Sequence, residues 1–117
     1  MSYLTAFNTQ VENFTKELGN LYPNDKDIDI AITSLSLLKK TNPRKIHNLI
    51  MSSMKSYRTQ IFAKDDKFFL DRTFDLEQNY FDTMINLKAY WNGMSENTKK
   101  TIWTYLQVLF KLSDKMT

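Results

Sequence analysis

The chain has 117 residues, 42% of them hydrophobic and 25% charged, with a net charge of +3; that is enough apolar side chain for one core and too much for a disordered tail. Cysteine is absent and there is one histidine, which excludes disulfides, thiolate metal sites and paired-histidine metal sites. Two glycines and two prolines leave little material for hairpins or glycine-rich phosphate loops, so the expectation is an all-α protein, a single compact domain of about five helices spanning residues 1–117.

Leu4, Phe7, Val11, Phe14 and Leu18 recur at steps of three and four, which puts all five on one stripe of a first helix over about residues 2–18. Gly19 is expected to end it in the left-handed conformation, with Pro23 following. A second helix opens on Asn24 or Asp25 as cap, carries acids in its first turn and ends on Lys39 and Lys40, charges that suit the two ends of the helix dipole. Its buried stripe is Ile28, Ala31, Ile32, Leu35 and Leu38. The stretch "DIDIAIT" also alternates as a strand would, but the helical spacing continues beyond it.

A third helix is expected over residues 43–62, with Asn42 as cap and Pro43 at the first helical position. Ile46, Leu49, Ile50, Met54, Tyr57 and Ile61 form its stripe. Leu76, Tyr80, Met84, Leu87 and Trp91 mark a fourth helix over about 74–92, ended by Gly93. Ser95 caps the fifth, whose apolar set of Ile102, Leu106, Leu109 and Phe110 is widened by Trp103, Tyr105 and Leu112. Such a wide stripe belongs to a central helix or to one that touches a partner.

Three stretches, "KKTNPRKIHNLI", "YRTQIFAKDDKFFL" and "YWNGMSENTKKTIWTYLQVL", together with a Lys-, Ile- and Asn-rich composition, resemble a group of short helical proteins of unknown function encoded by giant viruses, the nucleocytoplasmic large DNA viruses. The likeness covers nearly the whole chain. It implies a protein made in the cytoplasm of an infected cell, at the viral factory or packaged in the virion. That group has no assigned functional residues to carry over.

Charge is unevenly distributed. Residues 1–38 hold two cations against five acids, 39–67 eight against two, 68–98 two against five, and 99–117 four against one; alternating signs suit segments that pack against one another or against copies of themselves. Lys39, Lys40, Arg44, Lys45, Lys55 and Arg58, with Lys64 and Lys67 beyond, make the third helix the most basic element. Of these, Lys40, Arg44, Lys45, Lys55 and Arg58 are the candidates for phosphate contacts. Residues 46–54 contain no Lys or Arg, and no tight turn of the helix-turn-helix kind precedes that helix.

"KDDKFFLDRTF" sets Phe68, Phe69 and Leu70 between charges. The acids Asp65, Asp66, Asp71, Asp75 and Glu77 lack the glycine and the alternating spacing of a helix-flanked calcium loop, so the stretch reads as a core plug or a docking loop. His47 reads as a surface or half-buried side chain, with no partner nominated for acid–base work.

No catalytic, cofactor or metal site emerges from these residues, and no membrane span or leader is visible. The leading expectation is a non-enzymatic, cytoplasmic interaction or scaffold protein that binds a protein partner or itself through Phe68, Phe69, Leu70, Tyr90, Trp103 and Tyr105. The alternative is a nucleic-acid-binding accessory factor using the basic helix.

Overall fold

A computed structural model describes residues 2–66 and 90–116. Every regular element among them is helical: α1 (Tyr3–Leu21), α2 (Lys26–Thr41), α3 (Pro43–Met54), a 3₁₀ turn (Lys55–Tyr57), α4 (Arg58–Phe62) and α5 (Glu96–Lys115). The protein is all-α. The expected fourth helix lies almost wholly outside the described residues; Tyr90 and Trp91, at its far end, are helical.

Side-chain caps start three of these helices. Ser2 Oγ accepts the Thr5 N–H at 3.0 Å, Asp25 Oδ1 accepts those of Asp27 and Ile28 at 2.9 and 3.2 Å, and Ser95 Oγ accepts that of Thr98 at 3.1 Å, each satisfying donors that the first turn leaves orphaned. Asn42 behaves differently from expectation. Its side chain makes no cap bond; one residue long, the joint between α2 and α3 uses its backbone instead, the N–H closing α2 on Leu38 O at 2.8 Å and the carbonyl accepting from Lys45 N at 3.1 Å. The residue before a proline is pushed out of the helical region, and Asn42 sits at φ −154°.

Gly19 does not end α1. The helix runs through it to Leu21, and neither glycine has positive φ. What the position requires is space: a Cβ there would lie 3.1 Å from Ile32 Cδ1 and 3.6 Å from Ile28 Cγ2, so the glycine lets α2 approach α1 closely. The single long third helix is likewise corrected. A 3₁₀ turn at Lys55–Tyr57 divides it, and because such a turn has about 3.0 rather than 3.6 residues, it rotates the chain about 60° further over three residues. α3 accordingly packs on α1 and α2, while α4 packs on α5.

α4 closes with a complete six-to-one turn. Asp65 N–H bonds Gln60 O at 2.9 Å and Lys64 N–H bonds Ile61 O at 3.2 Å, the pair of bonds that normally brings glycine to the left-handed position. Here Lys64 occupies it, at φ 55°.

The buried stripes match the helical periodicity. Phe7, Val11, Phe14 and Leu18 from α1, Ile28 and Ala31 from α2, Ile46, Ile50 and Met54 from α3, Ile61 from α4, and Ile102, Trp103, Leu106, Leu109 and Phe110 from α5 meet in one cluster with Trp91 and Met94. α5 packs against both α1 and α4, so its wide apolar arc is filled from two sides. Buried Asn8 crosses this core, Nδ2 donating to the Pro43 carbonyl at 3.1 Å and tying α1 to the start of α3.

Candidate interaction surface

The aromatic residues expected to offer a surface on α5 and before it are largely occupied. Trp103 is 3% exposed and meets the fully buried Trp91 edge to face, their centroids 5.3 Å apart. It belongs to the core because α4 and the Trp91 region flank α5 on the side that a single stripe would leave bare; it is not a surface contact. Tyr90 is half-buried, stacked on Tyr22 at 3.8 Å, and its hydroxyl donates to Asp25 Oδ2. That bond pushes the Tyr90 pKa up to about 12 and, from the other side, holds the Asp25 carboxyl below its ordinary value. Adjacent Tyr90 and Trp91 thus face different surroundings, one the α2 cap and one the core.

Tyr105 keeps a surface position. It stacks on Phe14 at 5.2 Å and borders an open groove of about 600 Å³ between α1 and α5, with Glu17, Lys100 and Thr104 on its walls. Burial, aided by a hydrogen bond to Glu17, raises its pKa. A smaller cleft of about 110 Å³, reaching Leu21 and Thr98, shares the walls Glu17, Asn97, Thr101 and Tyr105 with this groove. Phe68, Phe69 and Leu70 lie outside the described residues, as do Lys67, Asp71, Asp75 and Glu77.

Among the basic candidates, Arg58 is committed to the fold. Its guanidinium makes a two-pronged pair with Asp114, at 2.9 and 2.6 Å, and lies 5.2 and 5.4 Å from the ring centres of Phe62 and Phe110, a geometry that uses its planar fork and its face together. It clasps α4 to the end of α5 and is not a free phosphate ligand. Lys39 reaches back to Glu12 at 3.7 Å. Lys40, Arg44, Lys45 and Lys55 remain exposed.

His47 makes a bond across 66 residues that the sequence did not disclose: Nε2 lies 2.8 Å from Ser113 Oγ, and its ring meets Phe7 edge-on at 4.9 Å. An imidazole beside a hydroxyl invites comparison with a base and nucleophile. No described carboxylate is bonded to the other ring nitrogen, and the groove lies toward the opposite end of α5, so the bond acts as a clasp between α3 and α5.

The largest unexplained feature is on α2. Ile28, Ala31, Leu35 and Leu38 face the core, and at 100° per residue Ile30 and Leu37 fall on the opposite side. They are 57% and 61% exposed, more than any other large apolar side chain described. The remaining exposed ones are differently placed: Lys115 Nζ lies 5.8 Å from the ring centre of Tyr3, the Arg58 guanidinium lies 5.2 Å from that of Phe62, and Leu21 borders the small cleft. Between Ile30 and Leu37 the face is of small side chains, Thr33 and Ser34. Thr33 and Thr41 donate their hydroxyl hydrogens to Asp29 O and Leu37 O, at 3.1 and 2.9 Å, so these polar groups are satisfied within the helix. The signal was present in the sequence as two large aliphatics off the stripe, hidden because isoleucines at 28, 30 and 32 also read as strand alternation.

No family model, curated protein or solved structure matches the chain. No helix among the described residues is long and apolar enough to cross a membrane.

Proposed function

We propose that the protein is a non-enzymatic interaction protein that docks another protein chain through the outer face of α2. The observation that carries this reading is the exposure of Ile30 and Leu37 directly opposite the core stripe. Exposed apolar side chains scattered singly are ordinary; two on the same line of one helix, about 10 Å apart with only small side chains between, form a ridge that a partner groove or helix can cover. The reading assigns the interaction to α2 rather than to the aromatic side chains of α5, of which Trp103 is core and Tyr105 is half-buried against Phe14.

The test is a capture experiment with the intact chain and the Ile30→Asp plus Leu37→Asp variant, both positions being solvent-facing, with the melting curve recorded for each to show that the variant is folded. Loss in the variant of the proteins the parent retains supports the reading; an identical retained set overturns it.

A second reading, nucleic-acid binding, is favoured by Lys40, Arg44, Lys45 and Lys55, which are exposed and form no ion pair with a described residue. Binding of this kind would fall steeply with salt and weaken on Arg44→Glu with Lys45→Glu; salt-independent or absent retention on DNA and RNA removes it.

A further inference from the structure

Between Asp29 and Asp65 the chain has no acidic residue, so α3 carries its cations with no negative side chain of its own. Lys55 follows α3 directly and keeps helical φ and ψ. Counting 100° per residue from Arg44, Lys55 falls at about 20°, Asn48 at about 40°, Ser52 at about 80° and Lys45 at about 100°, while the buried Ser53, Ile46, Ile50 and Met54 span about 180–280°. Those five residues make up the whole arc opposite the core, and all five are exposed. Two acids reach the basic stretch from elsewhere, Glu12 to Lys39 and Asp114 to Arg58, and neither bonds a cation of this arc. Exposed Lys40, in the last turn of α2, adds a cation where the chain enters α3.

Three polyanions compete for such a face, and its side chains separate them. An anionic membrane surface is held by cations beside large apolar side chains that enter the lipid; the arc has none, and Leu49 and Met51 at its edges are half-buried. Single strands are held by exposed rings on which the bases stack, and the arc has no ring. What it offers is three cations, the amide of Asn48 and the small Ser52, whose hydroxyl is turned back to Asn48 O at 2.6 Å. These suit the phosphate oxygens of a stiff, regular backbone. A duplex presents one charge per about 1.7 Å of its axis, about twice the density of either strand alone. The arc extends roughly 16 Å from Arg44 to Lys55, with a cation at each end. Resting on the second reading, that the protein binds nucleic acid, we infer that its ligand is a duplex held by its phosphates along the outer face of α3.

Fluorescence anisotropy of a short labelled DNA duplex and of its single strand, titrated with the full chain across a salt series, reads this directly. The duplex is expected to bind several-fold tighter than the strand, with log affinity falling against log salt at a slope of about −3, the value for three phosphate contacts. Arg44→Gln, Lys45→Gln and Lys55→Gln should each weaken binding and flatten that slope by about 1. Lys100→Gln removes the same charge from the groove between α1 and α5 and should leave the affinity as it is. Melting curves check that each variant is folded. A strand bound as tightly as the duplex, or a Lys100→Gln chain weakened as much as Lys55→Gln, overturns the inference and leaves the nucleic-acid reading standing. Capture by phosphatidylserine vesicles with no binding of either DNA, or binding to none of the three, overturns both.

Discussion

Replacing Tyr90 with Phe removes one hydroxyl and leaves the ring stacked on Tyr22, so it isolates the bond to Asp25. That carboxylate holds three donors at once: two backbone N–H groups of the first turn of α2 and the Tyr90 hydroxyl. A hydrogen bond to a charged group contributes about 1.5–3 kcal/mol when well buried. Both partners are only half-buried, and water recovers part of that, so the expected loss for Tyr90→Phe is about 1 kcal/mol, or a melting temperature lower by about 3–6 °C. Asp25→Ala loses the same bond and the cap, together about 2 kcal/mol. The two effects share one interaction and cannot add. In urea unfolding followed by circular dichroism, the double variant should lie close to Asp25→Ala, with a coupling of about 1 kcal/mol. Asp25→Asn keeps a capping side chain but loses the charge, and should fall between parent and alanine. A coupling below about 0.3 kcal/mol, or a Tyr90→Phe chain as stable as the parent, would show that the hydroxyl and the cap act independently and that the end of the Trp91 region is not anchored to α2.

The same bond sets a pH dependence. Tyr90 is held neutral up to about 12 in the fold against an ordinary 10.0, so its contribution is complete below pH 10 and disappears as pH rises from 10 to 12; Asp25 titrates below the ordinary 3.8, so its contribution is complete above that value and is lost as pH falls through the lowered one. The stability gap between the parent and Tyr90→Phe should therefore be flat from pH 5 to 9 and close at both extremes, and a gap that persists at pH 12 counts against the assignment. Lys64→Gly relieves a left-handed lysine that costs about 1–2 kcal/mol, offset by glycine's greater chain entropy, and should stabilise by about 0.5–1 kcal/mol, whereas Lys64→Val should destabilise; equal melting temperatures for all three would contradict the closing turn of α4. Trp103→Ala empties a site that is 3% exposed and should cost about 3–5 kcal/mol in urea unfolding; a change under about 1 kcal/mol would return Trp103 to the surface.

The sequence by itself determined the class of fold and the inward side of each described helix. Steps of three and four bring Phe7, Val11, Phe14 and Leu18 to one line whatever the helix later packs against, and the caps Ser95 and Asp25 act on backbone two or three residues away. What lies on the other sides is a question of how many neighbours surround each helix, and periodicity along one axis carries no record of that. α5 packs on two helices, so Trp103, expected at a surface, became core. α2 is covered on its core-facing side, so Ile30 and Leu37, unremarked among alternating isoleucines, became the exposed ridge. Long-range pairing had the same effect on polar residues: Arg58 looked available for phosphate until Asp114, 56 positions on, took its guanidinium, and His47 had no partner until α5 brought Ser113 to it. Gly19 shows both levels at once, since a glycine near a helix end is a stop signal locally, and only the close crossing of α2 reveals that it is there to leave room for Ile32.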